Sequence, residues 1–251
     1  MFREQFHRRF LPHWFMPGAA HFITYRLAGT LPAAVVQEFR DERDRTLKLS
    51  PPRGVTMAEY KARVQKQFFA KYDAYLDGDT QLNWLADPRV AAMVRENLYH
   101  HADKKYRLLA YCVMPNHVHI VIVPLEIAGN EEKTHKLAAC ATEERADVIN
   151  ADGLSDEVAD SGSPLSSIMH SLKSYTANRA NEMLGLSGTF WQRESYDHWI
   201  RGSDELERIV EYVRQNPVKP RLCEHPEDWG CCSARDRVER DGARTGFLID
   251  P

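Results

Sequence analysis

The stretch that most constrains this chain is Tyr111 to Pro124, YCVMPNHVHIVIVP. It reads as an apolar run, a Met114-Pro115-Asn116 break, and a second apolar run opening His117-Val118-His119. Valine- and isoleucine-rich runs of this length, separated by a Pro-Asn break, predict two strands joined tightly. Side chains two apart on a strand share a face, so His117 and His119 project together. Val118, Ile120 and Ile122 project from the other face and suit burial. A sheet built around this pair is therefore the first expectation.

Two imidazoles side by side on a rigid strand can hold one divalent cation. Taken alone, an HxH is also an ordinary pair of histidines, so partners must come from elsewhere. Ile209 to Lys219, IVEYVRQNPVK, is one source. Tyr212 and Asn216 are four apart, which puts them one turn apart on one helix face. Tyr212 could share a site with a cation held by His117 and His119, and Asn216 could lend that cation an amide oxygen. Val210 and Val213 can anchor the helix.

The chain has 251 residues, 43% of them hydrophobic, enough for one sizeable core. No apolar run is long enough to span a bilayer, and MFREQFHRRFLPHW lacks the apolar stretch of a signal peptide. Five cysteines form no CxxC pair, so reduced thiols in a cytoplasm are the simplest expectation. The net charge of −3 is uneven, because residues 126–163 hold ten acidic and three basic side chains. The remainder is mildly basic and can still attract a polyanion, since the local field outweighs the sum.

In order, His21 to Ala28 alternates as a first strand, and Pro32 to about Leu49 is helical. Met57 to Leu76 is a second helical stretch within a 49–87 insertion, expected to pack on the outside. Asp87 and Pro88 open a third helix, as N-cap and first helical residue. Tyr106 to Val113 and His117 to Val123 follow as strands, then an acidic, mobile or partly helical 126–163 insertion. Pro164 to Leu184 is a helix ending near Gly185, Thr189 to Ile200 a fourth strand, and Asp204 to about Gln215 a helix with Ser203 as cap of a capping box. This order predicts a single α+β domain, an antiparallel ferredoxin-like sheet with helices packed on one face.

Three patches in sequence order carry a resemblance: MPNHVHIVIVP, FWQRESYDHWI at 190–200 followed by Arg201, and IVEYVRQNPVK. Together they resemble the single-tyrosine HUH transposases, in the branch of REP-associated tyrosine transposases, over residues 18–48, 88–125 and 164–233. That resemblance implies the same ferredoxin-like fold, and activity on single-stranded, hairpin-forming DNA in the bacterial cytoplasm at the nucleoid. It places Tyr212 where the family has its nucleophile, and Asn216 where it has the third, polar ligand beside the two histidines. It also implies that Asn116, Tyr196, His198 and Arg201 support the site. Two imidazoles and an amide oxygen suit Mn²⁺ or Mg²⁺. The insertions depart from the family pattern, and the oligomeric state, monomer or homodimer, stays open.

DNA contacts are expected at Arg8 and Arg9, in an N-terminal stretch of interleaved cations and rings that could equally pack on the body. Lys173, Arg179, Lys219 and Arg221 suit phosphates, and Trp191, Gln192 and Arg193 suit bases, although Trp191 could be core. Tyr175 and Tyr196 rival Tyr212 as nucleophile. Two other functions compete: a hairpin-binding protein that does not cut, and a metallohydrolase that activates water and would need a further His or Asp ligand.

Overall fold

The structure, a computed structural model, describes residues 5–8, 12–78, 81–125 and 163–236. The 126–163 insertion lies outside these except for Ser163, as do Arg9 and Cys140. β1 (Gln5–Arg8) and β2 (Pro12–Phe15) pair as a small antiparallel ribbon. Phe15 is buried and stacks on His21, with ring centroids 5.5 Å apart, so this ring packs on the body.

β3 (His21–Arg26), β4 (Tyr106–Val113), β5 (His117–Pro124) and β6 (Tyr196–Trp199) form one antiparallel sheet in the order β4-β5-β3-β6. This is the α+β, ferredoxin-like arrangement, in which β3 and β4 flank β5 without pairing to each other. The fourth strand is shorter than expected. Only Tyr196–Trp199 pairs along β3, while Trp191 makes an isolated bridge to Leu27.

Helices cover both faces of the sheet, not one. α1 (Ala33–Leu47) and α2 (Met57–Gly78) follow β3, and α3 (Pro88–His101) precedes β4. α4 (Pro164–Leu184) joins β5 to β6, and α5 (Ser203–Arg214) follows β6. On one face Ile23, Tyr25, Val118 and Ile120 pack with Val94 and Leu98 of α3 and Ile168 and Leu172 of α4. On the other, Phe22, Ala110, Cys112 and Val121 pack with Phe68 of α2 and Val210 and Val213 of α5. A bulge between Leu108 and Ala110 shifts the phase of β4, so Leu108 and Tyr111 serve the first face while Cys112 stands opposite His119 on the second.

The helix ends show why the breaks fall where they do. Asp87 accepts the Arg89 N–H at 2.9 Å with Pro88 in the first turn, as the sequence implied. Gly185 stops α4 in the left-handed conformation at φ 65°. Thr56 and Glu59 exchange side-chain-to-backbone hydrogen bonds of 3.2 and 2.8 Å, a capping box that starts α2. The Ser203 capping box does not form. Gly202 is the N-cap, Ser203 lies inside α5, and Glu205 accepts the Arg201 N–H at 2.8 Å.

Residues after α5 fold back over the outer edge of β4. The Val113 N–H donates to Cys231 O at 2.9 Å, and the Trp229 indole donates to Val113 O at 2.8 Å, which covers an otherwise open strand edge. The segment ends in α6 (Ser233–Asp236), whose buried Asp236 accepts from the Tyr111 hydroxyl and from the Tyr99 hydroxyl at 2.8 Å, with Arg95 3.9 Å away. Asp236→Ala should leave two hydroxyls without their acceptor and Arg95 without its ion-pair partner, and cost about 3–5 kcal/mol. Thermal denaturation should show a midpoint roughly 10 °C lower; an unchanged midpoint would deny Asp236 this role.

His21 carries a pH prediction. Its Nε2 accepts the Met16 N–H at 3.3 Å, and burial pulls its pKa down to about 4. Below pH 6.5 the unfolded chain binds a proton there that the folded chain refuses, so stability falls as pH drops from about 6.5 to 4, by about 3 kcal/mol in all. His21→Gln should reduce the slope of denaturant-melt stability over that window, and a slope equal to the parent's would refute it.

Candidate metal centre and nucleophile

The face of the sheet under α2 and α5 carries the site. His117 and His119 are fully buried there, opposite Arg26 and Thr24 of β3. Their Nε2 atoms face each other at 3.0 Å. The other ring nitrogens are anchored, His117 Nδ1 at 2.6 Å from Asn116 Oδ1 and His119 Nδ1 at 2.7 Å from Thr24 Oγ1. Asn116 is oriented in turn, since its Nδ2 donates to Leu76 O at 2.8 Å, leaving Oδ1 as acceptor. His117 therefore carries its proton on Nδ1 and presents a lone pair at Nε2. Burial pulls its pKa down to about 3, with His119 adding to the effect, so the ring is neutral.

A third group comes from the insertion. Asp73 of α2 is 5% exposed and sets Oδ1 3.2 Å from His119 Nε2. Asp73, His117 and His119 bring one ligand atom each within 4.8 Å of one another. Neighbouring ligands at right angles on an ion with bonds of about 2.1 Å stand about 3.0 Å apart, so the 3.0 and 3.2 Å separations suit one octahedral cation. Asn216, just beyond α5, is fully buried; its amide lies near enough to act on the Tyr212 phenol, and among the described residues neither amide atom is satisfied by a hydrogen bond of good geometry. An orphaned buried amide is costly and fits a group awaiting a cation. The donor set of two imidazoles and a carboxylate suits a divalent ion.

Tyr212 of α5 meets this group directly. Its hydroxyl donates to Asp73 Oδ2. Its ring centroid is 5.7 Å from that of His119, 5.9 Å from that of Phe22 and 6.0 Å from that of Phe69. The Lys219 ammonium sits 3.5 Å above the ring centroid. Burial and then Asp73 push the phenol well above its ordinary pKa, so it holds its proton. Burial alone would raise Asp73, but hydrogen bonding to His119 and from the Tyr212 hydroxyl outweighs it and holds the carboxyl below its usual range. One turn on, burial and Asp73 raise Asp77 to about 6.

The expectation that the 57–76 stretch packs on the outside is thus corrected. Tyr72, Asp73 and Leu76 are buried, and α2 covers the histidines. Asp73 was missed as a site residue, although it follows Phe69 by four and precedes Leu76 by three. A carboxylate inside an apolar helical stripe was the available signal.

The other anticipated residues are scattered. Asn116 supports His117 as described. Tyr196 is buried against Phe69, with ring centroids 4.5 Å apart, on the same face. His198 pairs with Glu205 at 3.1 Å, and Arg201 lies over Trp199 at 4.8 Å, so both tie β6 to the start of α5 and stand apart from the histidines. Trp191 is 4% exposed, its indole donates to Thr176 at 2.8 Å, and its ring is core, not a platform for a base. The Lys173 ammonium donates to the Gln192 and Arg193 carbonyls at 2.9 and 3.0 Å, and burial pulls it down to about 7. It braces that loop before it meets any phosphate. Arg179 pairs with Glu182, and Arg221 is exposed with φ 61°. Lys173, Gln192 and Arg193 line a cavity of about 690 Å³ with Ile23 and Asp197, on the sheet face away from the histidines. Of the anticipated phosphate contacts described, Lys219 stands at the site. Arg8 ends β1.

No family model matches the chain, and no curated protein matches it. One solved structure, described as the REP associates tyrosine transposase bound to a REP hairpin, aligns over 98% of this chain and 93% of its own, with 15% identity and a TM-score of 0.41. At that identity and TM-score the likeness carries no argument about chemistry. No described helix is long and apolar enough to cross a membrane, and Cys112, Cys223, Cys231 and Cys232 are free thiols.

Proposed function

We propose that this protein cleaves and rejoins single-stranded, hairpin-forming DNA through a covalent bond to Tyr212. The observation that carries the reading is that the Tyr212 hydroxyl and His119 share one carboxylate, Asp73, so phenol and paired imidazoles converge. Three ordered motifs, one around each of these groups and one between them, support it. His117, His119, Asp73 and Asn216 would hold a divalent ion, Mn²⁺ or Mg²⁺. Such an ion, when bound, polarises the scissile phosphate and offsets its developing charge.

The chain's own residues do the rest. Tyr212 is half-buried, its ring fixed between Phe22, Phe69 and His119, so its hydroxyl points one way. The neighbouring Lys219 supplies a positive charge beside the phosphate. Attack by the phenol oxygen would leave a 5′-phosphotyrosine and a free 3′-hydroxyl. The bond energy is retained, so the reverse reaction joins DNA without ATP.

The test incubates the protein with labelled single-stranded hairpins and Mn²⁺. A denaturant-resistant protein–DNA species at one to one is the expected result. Cleavage without that species would move the assignment to the metallohydrolase, which Asp73 also favours, since it is the extra carboxylate ligand such an enzyme needs.

A further inference from the structure

The 49–87 insertion has so far supplied a ligand and a cover. We infer that it also supplies the base of the reaction: Asp73 takes the proton of Tyr212 as the phenol attacks. This rests on the reading of Tyr212 as nucleophile and adds a catalytic residue to it.

The geometry is direct. Asp73 divides its oxygens, Oδ1 towards His119 Nε2 at 3.2 Å and Oδ2 accepting the Tyr212 O–H. The acceptor is thus already in contact with the reacting atom, ahead of any substrate. The neighbours are poorer acceptors. His117 and His119 turn their Nε2 atoms towards each other, Lys219 only donates, and Asn216 is an amide. Asp77 lies one turn further along α2 and has no hydrogen bond to the phenol among those described. The phenol also needs such a partner. A neutral phenol is a weak nucleophile.

The step balances. In cleavage the Tyr212 O–H bond breaks and the proton goes to Asp73 Oδ2, while the phenol oxygen bonds to phosphorus. The P–O3′ bond breaks, and the 3′ oxygen leaves with its electron pair and takes a proton from water. In joining, the 3′-hydroxyl yields a proton to water, the phosphorus–phenol bond breaks, and Asp73 returns its proton to the phenol oxygen. A protonated carboxyl parked beside the phosphotyrosine keeps the reaction reversible.

Asp73→Asn keeps the shape and removes the proton acceptor. In the full chain, at Mn²⁺ concentrations that saturate each variant, single-turnover adduct formation on a labelled hairpin should fall ~10²–10⁴-fold. Asp73→Glu should recover part of the rate; a rate no better than that of D73N would count against a base. The decisive arm places trifluorotyrosine at position 212, whose ring fluorines acidify the phenol so that it ionises unaided. There the difference between parent and D73N should shrink to under ~10-fold, because an ionised phenolate has no proton to give. An undiminished deficit would overturn the base and leave Asp73 a ligand or a structural group. Absence of any adduct with the unaltered protein would defeat the Tyr212 reading itself, and the base with it.

Discussion

The Tyr212→Phe chain is expected to form no covalent DNA adduct under conditions where the parent forms one. Removal of a nucleophile elsewhere has cost about 10⁶-fold in rate, so the species should fall below detection. The substitution is mild otherwise. A phenylalanine keeps the edge contacts with Phe22, Phe69 and His119 and the ring face under Lys219. What is lost is one hydrogen bond to the buried Asp73, about 1–3 kcal/mol of stability. Hairpin binding should persist, and that separates a lost nucleophile from a lost fold. The rival tyrosines are poorly placed. Tyr175 is 52% exposed on α4, against the opposite sheet face, and Tyr196 is 8% exposed inside the core. An adduct that survives in Tyr212→Phe would defeat the assignment. Strand cleavage that survives without an adduct would favour water as nucleophile.

The second large effect is on the cation. His119→Ala should weaken Mn²⁺ binding by about 100-fold or more, since even supporting residues around such ions are worth about 10–100-fold. His119 is the hub of the cluster, in contact with His117 at 3.0 Å, Asp73 at 3.2 Å and Thr24 at 2.7 Å. The cleanest readout is the rise in melting temperature on adding Mn²⁺, not the melting temperature itself, because the substitution also opens a buried space. At about 100 times the dissociation constant a ligand stabilises the folded chain by about 2.7 kcal/mol. For a chain of this size that is roughly 5–10 °C, and the increment should shrink to about 1 °C or less in the variant. A Mn²⁺-induced rise of equal size in parent and His119→Ala would mean that the ion binds elsewhere or not at all.

The accuracy of the sequence reading follows the range of the forces involved. Strand alternation put His117 and His119 on one face, and Val118, Ile120 and Ile122 on the other, through the local geometry of the extended chain. Asp87, Pro88 and Gly185 marked helix ends through hydrogen bonds and dihedral preferences within a turn. Ser203 misled because the helix starts one residue earlier, with Gly202 as its N-cap, and Glu205 accepts the Arg201 N–H instead. Trp191 was ambiguous because an indole is equally suited to a base and to a core, and the hydroxyl of Thr176 decided between them.

The chain's own order of residues determined the sheet, most of its strands, and the candidates His117, His119, Tyr212 and Asn216, because period and spacing are local properties. Tertiary structure alone decided that α2 folds inward over the histidines and that Asp73 bridges imidazole and phenol. Asp73 lies 44 residues before His117 and 139 before Tyr212 in the numbering, and no local rule couples positions so far apart. Their meeting depends on the packing of Phe68, Tyr72 and Leu76 beneath the sheet and α1, a surface that exists only once the chain has folded.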